Sequence, residues 1–124
     1  MPYTVFRADA LPWSETSSGG DRSIVRVSDA LNTMRSNIWR LGPGTSIRRH
    51  AERVQDELFV AVEGTPTMLL GDPPERVELP RGSVVAVQAG TALQVRNDSA
   101  AAAVVVIVGA PPVSGETDYL EDVA

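Results

Sequence analysis

The residues TSIRRHAERVQDE, positions 45 to 57, hold the chain's one histidine, His50, followed by Glu52 and Glu57. A neutral imidazole nitrogen and two carboxylate oxygens can make a first shell for Zn, Mn or Fe(II). Without an ion, neighbouring carboxylates in a partly buried cavity raise one pKa between them, and His50 with Glu57 could then work as a general acid/base pair. The plainer alternative is a solvated fringe of Arg48, Arg49, Glu52, Arg53, Asp56 and Glu57, in which each ion pair contributes little. The residue types alone leave these three readings open.

Other chemistries are closed. The chain has no cysteine and no lysine, so thiolate nucleophiles, thiolate metal ligands and Schiff bases are excluded. No phosphate-binding glycine loop and no strand-turn-helix nucleophile elbow occurs.

The segment can act only if the elements around it converge. Extended residues alternate faces, so a strand through 46 to 52 puts Ser46, Arg48, His50 and Glu52 on one side and Ile47, Arg49 and Ala51 on the other. After a turn at RVQD the chain would return with Glu57, Phe59 and Ala61 on one face. Antiparallel pairing of the two runs, with opposed residues ~5 Å apart, would bring Glu57 beside His50 and Glu52.

Short β-branched or apolar runs recur along the chain: SIVRV, NIWRL, ELFVAVE, TMLL, RVEL, SVVAV, LQVR and AAAVVVIVGA, separated by Gly and Pro turns such as GPG, EGTP, GDPP and AGT. That punctuation predicts an antiparallel, all-β sandwich or barrel. Helical signals are confined to residues 4–11 and 28–32, the second led by Ser28 as a candidate N-cap. At 124 residues the chain fits one domain, able to bury roughly two-thirds of its unfolded surface. We divide it into an N-terminal segment (1–21), a barrel (about 22–110) and an acidic C-terminal tail (111–124).

The net charge of -5 sits mostly in that tail, where Glu116, Asp118, Glu121 and Asp122 have no arginine among them. No basic stripe interleaved with aromatics suggests nucleic-acid binding. No apolar run approaches the ~20 residues of a membrane span, and no leader-like segment opens the chain. A cytoplasmic setting is expected, which the lack of cysteine fits. Asn97 in NDS matches a glycosylation acceptor, taken here as chance.

The residues from 44 to 97 resemble the two signatures of the cupin superfamily. The first runs Gly, five residues, His, one residue, His, three or four residues, Glu, six residues, Gly. Gly44, His50, Glu57 and Gly64 match it, with Glu52 where the second His is expected. The second runs Gly, five residues, Pro, one residue, Gly, two residues, His, three residues, Asn. Gly82, Gly90 and Asn97 match, while Gln88 replaces the Pro and Leu93 the His.

The resemblance implies a double-stranded β-helix, or jelly-roll barrel. It also implies at most a three-residue metal set, His50, Glu52 and Glu57, whose single nitrogen favours Mn or Fe(II) over Zn. Leu93 cannot ligate and makes the wall apolar there. Trp39, Arg48, Phe59 and Gln88 are further pocket candidates: Trp39 in phase with Asn37 and Leu41, Arg48 able to meet an anionic ligand, Phe59 filling the barrel, Gln88 at its mouth. Gln94, out of phase with Leu93, is expected to point outward, and Met34 and Met68 to fill gaps.

Two functions follow as expectations. One is small-molecule binding in the barrel, with the His50 cluster as a polar network and no metal. The alternative is a metal-dependent small-molecule enzyme of the isomerase, cyclase, decarboxylase or dioxygenase type. The excess apolar β-surface of SVVAV and AAAVVVIV implies a homodimer.

Overall fold

The protein was described from a computed structural model; residues 2–16 and 19–123 are described, and Met1, Ser17, Ser18 and Ala124 lie outside them. Strands form where β-branched and aromatic side chains alternate and stop at the Gly and Pro turns read above. In chain order they are β1 (Ser14–Glu15), β2 (Arg22–Val25), β3 (Arg35–Leu41), β4 (His50–Glu52), β5 (Asp56–Glu63) and β6 (Thr67–Leu70). There follow β7 (Glu75–Glu78), β8 (Val84–Val87), β9 (Leu93–Arg96), β10 (Ala103–Ala110) and β11 (Thr117–Tyr119).

The strands make two sheets, with antiparallel pairings throughout those described: β1-β2-β3-β10-β5-β8 and β11-β4-β9-β6-β7. This is the all-β jelly-roll arrangement the sequence predicts. Between the sheets lies a core of Leu41, Phe59, Ala61, Met68, Leu93 and Val105, with Leu79, Val87 and Val95 completing it. Along β5 the two-residue period is plain: Glu57, Phe59 and Ala61 are buried, while Leu58 and Val62 face solvent.

The signature residues that carry no charge are structural. Asn97, fully buried, donates from Nδ2 to the carbonyls of Leu41 (2.9 Å) and Ala101 (2.8 Å), and its Oδ1 accepts from Ser99 Oγ at 2.7 Å. Gly44 N–H donates to the Asn97 carbonyl at 2.8 Å, which ties the first signature to the second. An amide so enclosed is no glycan acceptor. Gly64 has φ +71°, and a Cβ there would collide with the Ala102 carbonyl oxygen.

Both helical expectations are corrected. No helix forms over residues 4–11, where a single turn closes from Ala10 N–H to the Arg7 carbonyl before Pro12 bars continuation. Near 28–32 only a 3₁₀ turn forms, over Val27–Ala30. Ser28 does not cap it; the hydroxyl donates to the Ser36 carbonyl at 3.0 Å and accepts the Ser36 N–H at 2.8 Å. Met68 is a core residue, whereas Met34 is exposed.

The C-terminal segment is also more than a solvated tail. Its residues Thr117–Tyr119 are β11, paired with His50–Glu52. Beyond it, Leu120 N–H donates to the Arg49 carbonyl (3.0 Å), Arg49 Nη1 to the Glu121 carbonyl (3.1 Å) and Arg96 Nη1 to the Val123 carbonyl (3.4 Å). The chain end therefore crosses the outer face of the second sheet from β4 to β9. Gln94 has its expected phase but is buried, at 2% exposure.

Candidate functional site

At one end of the sandwich the sheets part around a cavity of about 400 Å³. His50 and Glu52 enter it from β4 of the second sheet, and Glu57 from β5 of the first. These three residues offer ligand atoms that all lie within 4.8 Å of one another. The convergence differs from the hairpin pairing expected from the sequence, because β4 pairs with β9 and β11 while β5 pairs with β8 and β10. Glu57 meets His50 across the gap between sheets.

The imidazole is held in one orientation. Its Nδ1 lies 2.8 Å from the Arg48 carbonyl, an acceptor only, so Nδ1 carries the proton and Nε2 faces the cluster, 3.5 Å from Glu57 Oε1. Burial pulls the His50 pKa down. The Glu57 hydrogen bond, the Arg48 carbonyl and the charges of Glu57 and Glu52 outweigh it, so the pKa stands above its ordinary value of 6.5.

Glu52 is buried, and Thr117 Oγ1 donates to its carboxylate. Arg35 Nη2 lies 3.8 Å from Glu52 Oε2 and also donates to Gln55 Oε1 at 3.1 Å. Gln55, itself buried, donates to the Pro111 carbonyl at 2.8 Å. Gly90 N–H, from the second signature, donates to the Glu52 backbone carbonyl at 2.6 Å. Thus both signatures position this one glutamate.

Donors each ~2.1 Å from a tetrahedral ion stand ~3.4 Å apart. The His50–Glu57 separation of 3.5 Å already suits that spacing. Glu52 has to close in further, and its hydroxyl and guanidinium partners are the outer-shell contacts that orient a ligating carboxylate. The donor set fits one divalent ion, with remaining positions open to water or ligand.

Of the other sequence candidates, Trp39 and Arg48 line this cavity with His50. Phe59 and Leu93 lie in the core beneath it. Leu93 is nonetheless the residue paired with His50 in the β4–β9 register. Gln88 lines a different groove, along the edge of the first sheet with Leu58, Ala86 and Val108. Ile47 reaches the cavity despite its assigned phase, since β4 begins only at His50 and residues 47–49 are not in a strand.

Sequence reasoning missed several walls: Arg22 and Arg26 near β2, Arg35 on β3, and Thr117 and Tyr119 on β11. Arg35 shares the two-residue phase of Trp39 and was legible from it. The others carry no local signal, because their placement depends on which strands become neighbours. Arg48 Cζ lies 4.1 Å from the Tyr119 ring centroid, and the His50 ring lies 6.4 Å from the same centroid.

Residues 37–109 match the family described as Cupin domain. The chain belongs to the cupin family. As a cupin it is similar to a sugar phosphate isomerase of the cupin superfamily from Silicibacter pomeroyi, with 25% identity and a TM-score of 0.74 over 86% of this chain and 75% of that one. It also resembles the polyketide cyclase RemF from Streptomyces resistomycificus, at 11% identity and TM-score 0.80 over 98% and 87% of the two chains. A double-stranded β-helix protein from Klebsiella pneumoniae aligns at 18% identity and TM-score 0.77 over 97% and 99%. The last two likenesses speak for the fold alone. No curated protein matches the chain by sequence.

Proposed function

We propose that this cupin binds a small molecule in the cavity between its sheets, and that His50, Glu52 and Glu57 hold one divalent ion at the cavity wall. The observation that carries this reading is the cluster itself: three ligand atoms from two sheets within 4.8 Å of one another, with Nε2 of His50 turned toward the carboxylates. One nitrogen and two carboxylates favour Mn or Fe(II) over Zn. When bound, such an ion supplies Lewis acidity to an oxygen of the ligand. The chain's own residues orient the set: the Arg48 carbonyl fixes the imidazole, and Thr117 and Arg35 fix Glu52. If the cavity is catalytic, the ion, or in its absence a proton shared between His50 Nε2 and Glu57, would serve the chemistry, which supports isomerase, cyclase, decarboxylase or dioxygenase types without choosing among them.

Elemental analysis of protein purified without added metal, repeated on His50→Ala, tests the reading. Near-stoichiometric metal that disappears on substitution supports it. The absence of metal in both proteins, with no Mn²⁺ or Fe²⁺ uptake on titration, leaves the metal-free binding protein, in which the cluster is a polar network above the core.

The same reading includes a homodimer, supported by Leu58, Val62 and Val84 exposed on the first sheet. Sedimentation equilibrium, with Leu58→Asp and Val84→Asp variants expected to be monomeric, tests it. It also includes a cytoplasmic setting, supported by a chain whose stability owes nothing to disulfides.

A further inference from the structure

From the charges that line the cavity we infer that its ligand is a small organic anion, a carboxylate or phosphate monoester, whose anionic group is taken by the arginine rim, Arg48 foremost. The inference rests on the small-molecule reading above and names the ligand class. Four of the chain's 11 arginines, Arg22, Arg26, Arg35 and Arg48, line this cavity, against only two carboxylates, Glu52 and Glu57. The cavity thus carries an excess of two positive charges, even with His50 neutral, inside a protein whose net charge is -5. A divalent ion would raise that excess further, so an anion is what balances the site.

The arginines differ in what already occupies them. Arg35 is engaged with Glu52 and Gln55. Arg22 Nη1 donates to the Ser46 carbonyl at 2.8 Å, with its guanidinium 5.5 Å from the Trp39 ring centroid. Arg26 and Arg48 form no ion pair among the described residues. Arg48 lies over the Tyr119 ring, and a guanidinium packed on an aromatic keeps its N–H edge for a planar or trigonal oxyanion. Arg48 also borders a groove with Glu121 and Asp122 without pairing with either, and a guanidinium that no carboxylate occupies is a bidentate anion receptor.

Tyr119 also sets the scale. The Arg48 guanidinium and the His50 ring flank this one ring at 4.1 and 6.4 Å, so they stand at most 10.5 Å apart, those two lengths laid end to end. One small molecule can therefore span them, with its anionic group on Arg48 and a second oxygen, hydroxyl or carbonyl, toward the His50 cluster. Bound anion and bound metal then favour each other, because each offsets the charge the other brings.

Calorimetric titration with and without added Mn²⁺ tests this, using malate and glycerol 3-phosphate with dimethyl malate and glycerol as their uncharged counterparts. Binding of either anion, weakened by salt and absent for the neutral partner, is the expected result; which anion binds assigns carboxylate or phosphate. Arg48→Gln should weaken the anion about ten- to a hundredfold while metal content stays unchanged, and Arg48→Lys should recover part of that loss. Equal binding of the neutral counterparts, no binding of either anion at millimolar concentration, or no effect of Arg48→Gln overturns the inference. Failure of the metal reading is separate: no variant would contain metal, yet the anions would still bind and still depend on Arg48.

Discussion

His50 Nε2 and Glu57 Oε1 lie 3.5 Å apart although their strands belong to different sheets and share no backbone hydrogen bond. The contact therefore reports how the two sheets are docked, and a change in that docking would separate the site's residues before it unfolded either sheet.

Position 93 is where the second signature would supply a histidine, and here Leu93 faces His50 in the β4–β9 register. Leu93→His should add an imidazole on the residue opposed to His50, with Cβ atoms about 5 Å apart, and tighten Mn²⁺ about tenfold or more. Without metal the buried imidazole costs about 2 kcal/mol of stability or more. Mn²⁺ titrations and melting curves with and without the ion check this; an unchanged affinity would mean that position 93 does not reach the cluster.

Thr117 sits on the C-terminal strand and donates to Glu52. Thr117→Val keeps its shape but leaves a buried carboxylate short of a donor, at a cost of about 1–3 kcal/mol. If Glu52 ligates, metal affinity should also shift by about tenfold or more. Urea unfolding and metal titration of the same variant separate the two effects.

Asn97 satisfies the Leu41 and Ala101 carbonyls from a fully buried position. Asn97→Ala removes both bonds, leaving the Ala101 carbonyl with the Ser99 hydroxyl, and should cost about 1–3 kcal/mol, read as a lower urea midpoint at unchanged slope. It should leave the metal content per folded molecule as it was, because Asn97 holds strands together and touches no ligand.

The strap formed by the C-terminal segment should loosen in acid. A hydrogen bond from Arg53, helped by its charge, holds the Asp118 carboxyl below its ordinary 3.8 against the opposing effect of burial. A carboxylate depressed on folding stabilises the folded state above its unfolded pKa, and that contribution is lost as pH falls through the folded value. The protection of the Leu120 amide, bonded to the Arg49 carbonyl, measured as its exchange rate relative to an unstructured amide at the same pH, should fall as the pH is lowered below about 4 in the parent. In Asp118→Asn it should be lower throughout and show less of that pH dependence.

The strand runs, the turn glycines and the alternation of Glu57, Phe59 and Ala61 were all legible in the sequence, because they depend on steric and hydrophobic preferences acting over a few residues. So were the residue types of the candidate ligands and the β-rich class of fold. The partners of those ligands were not. Thr117 and Tyr119 lie more than 60 residues from His50 in the chain, and their arrival beside it follows from the pairing of β11 with β4. Arg22 and Arg26 enter the cavity only because β2 flanks β3 in the opposite sheet. Gln94 kept the outward phase its sequence position dictates, yet it is buried, which alternation along its own strand does not show. Periodicity assigns a side chain to a face of its own strand. What that face meets is set by long-range pairing and sheet docking, and for His50 these chose both Glu57 and the arginine rim.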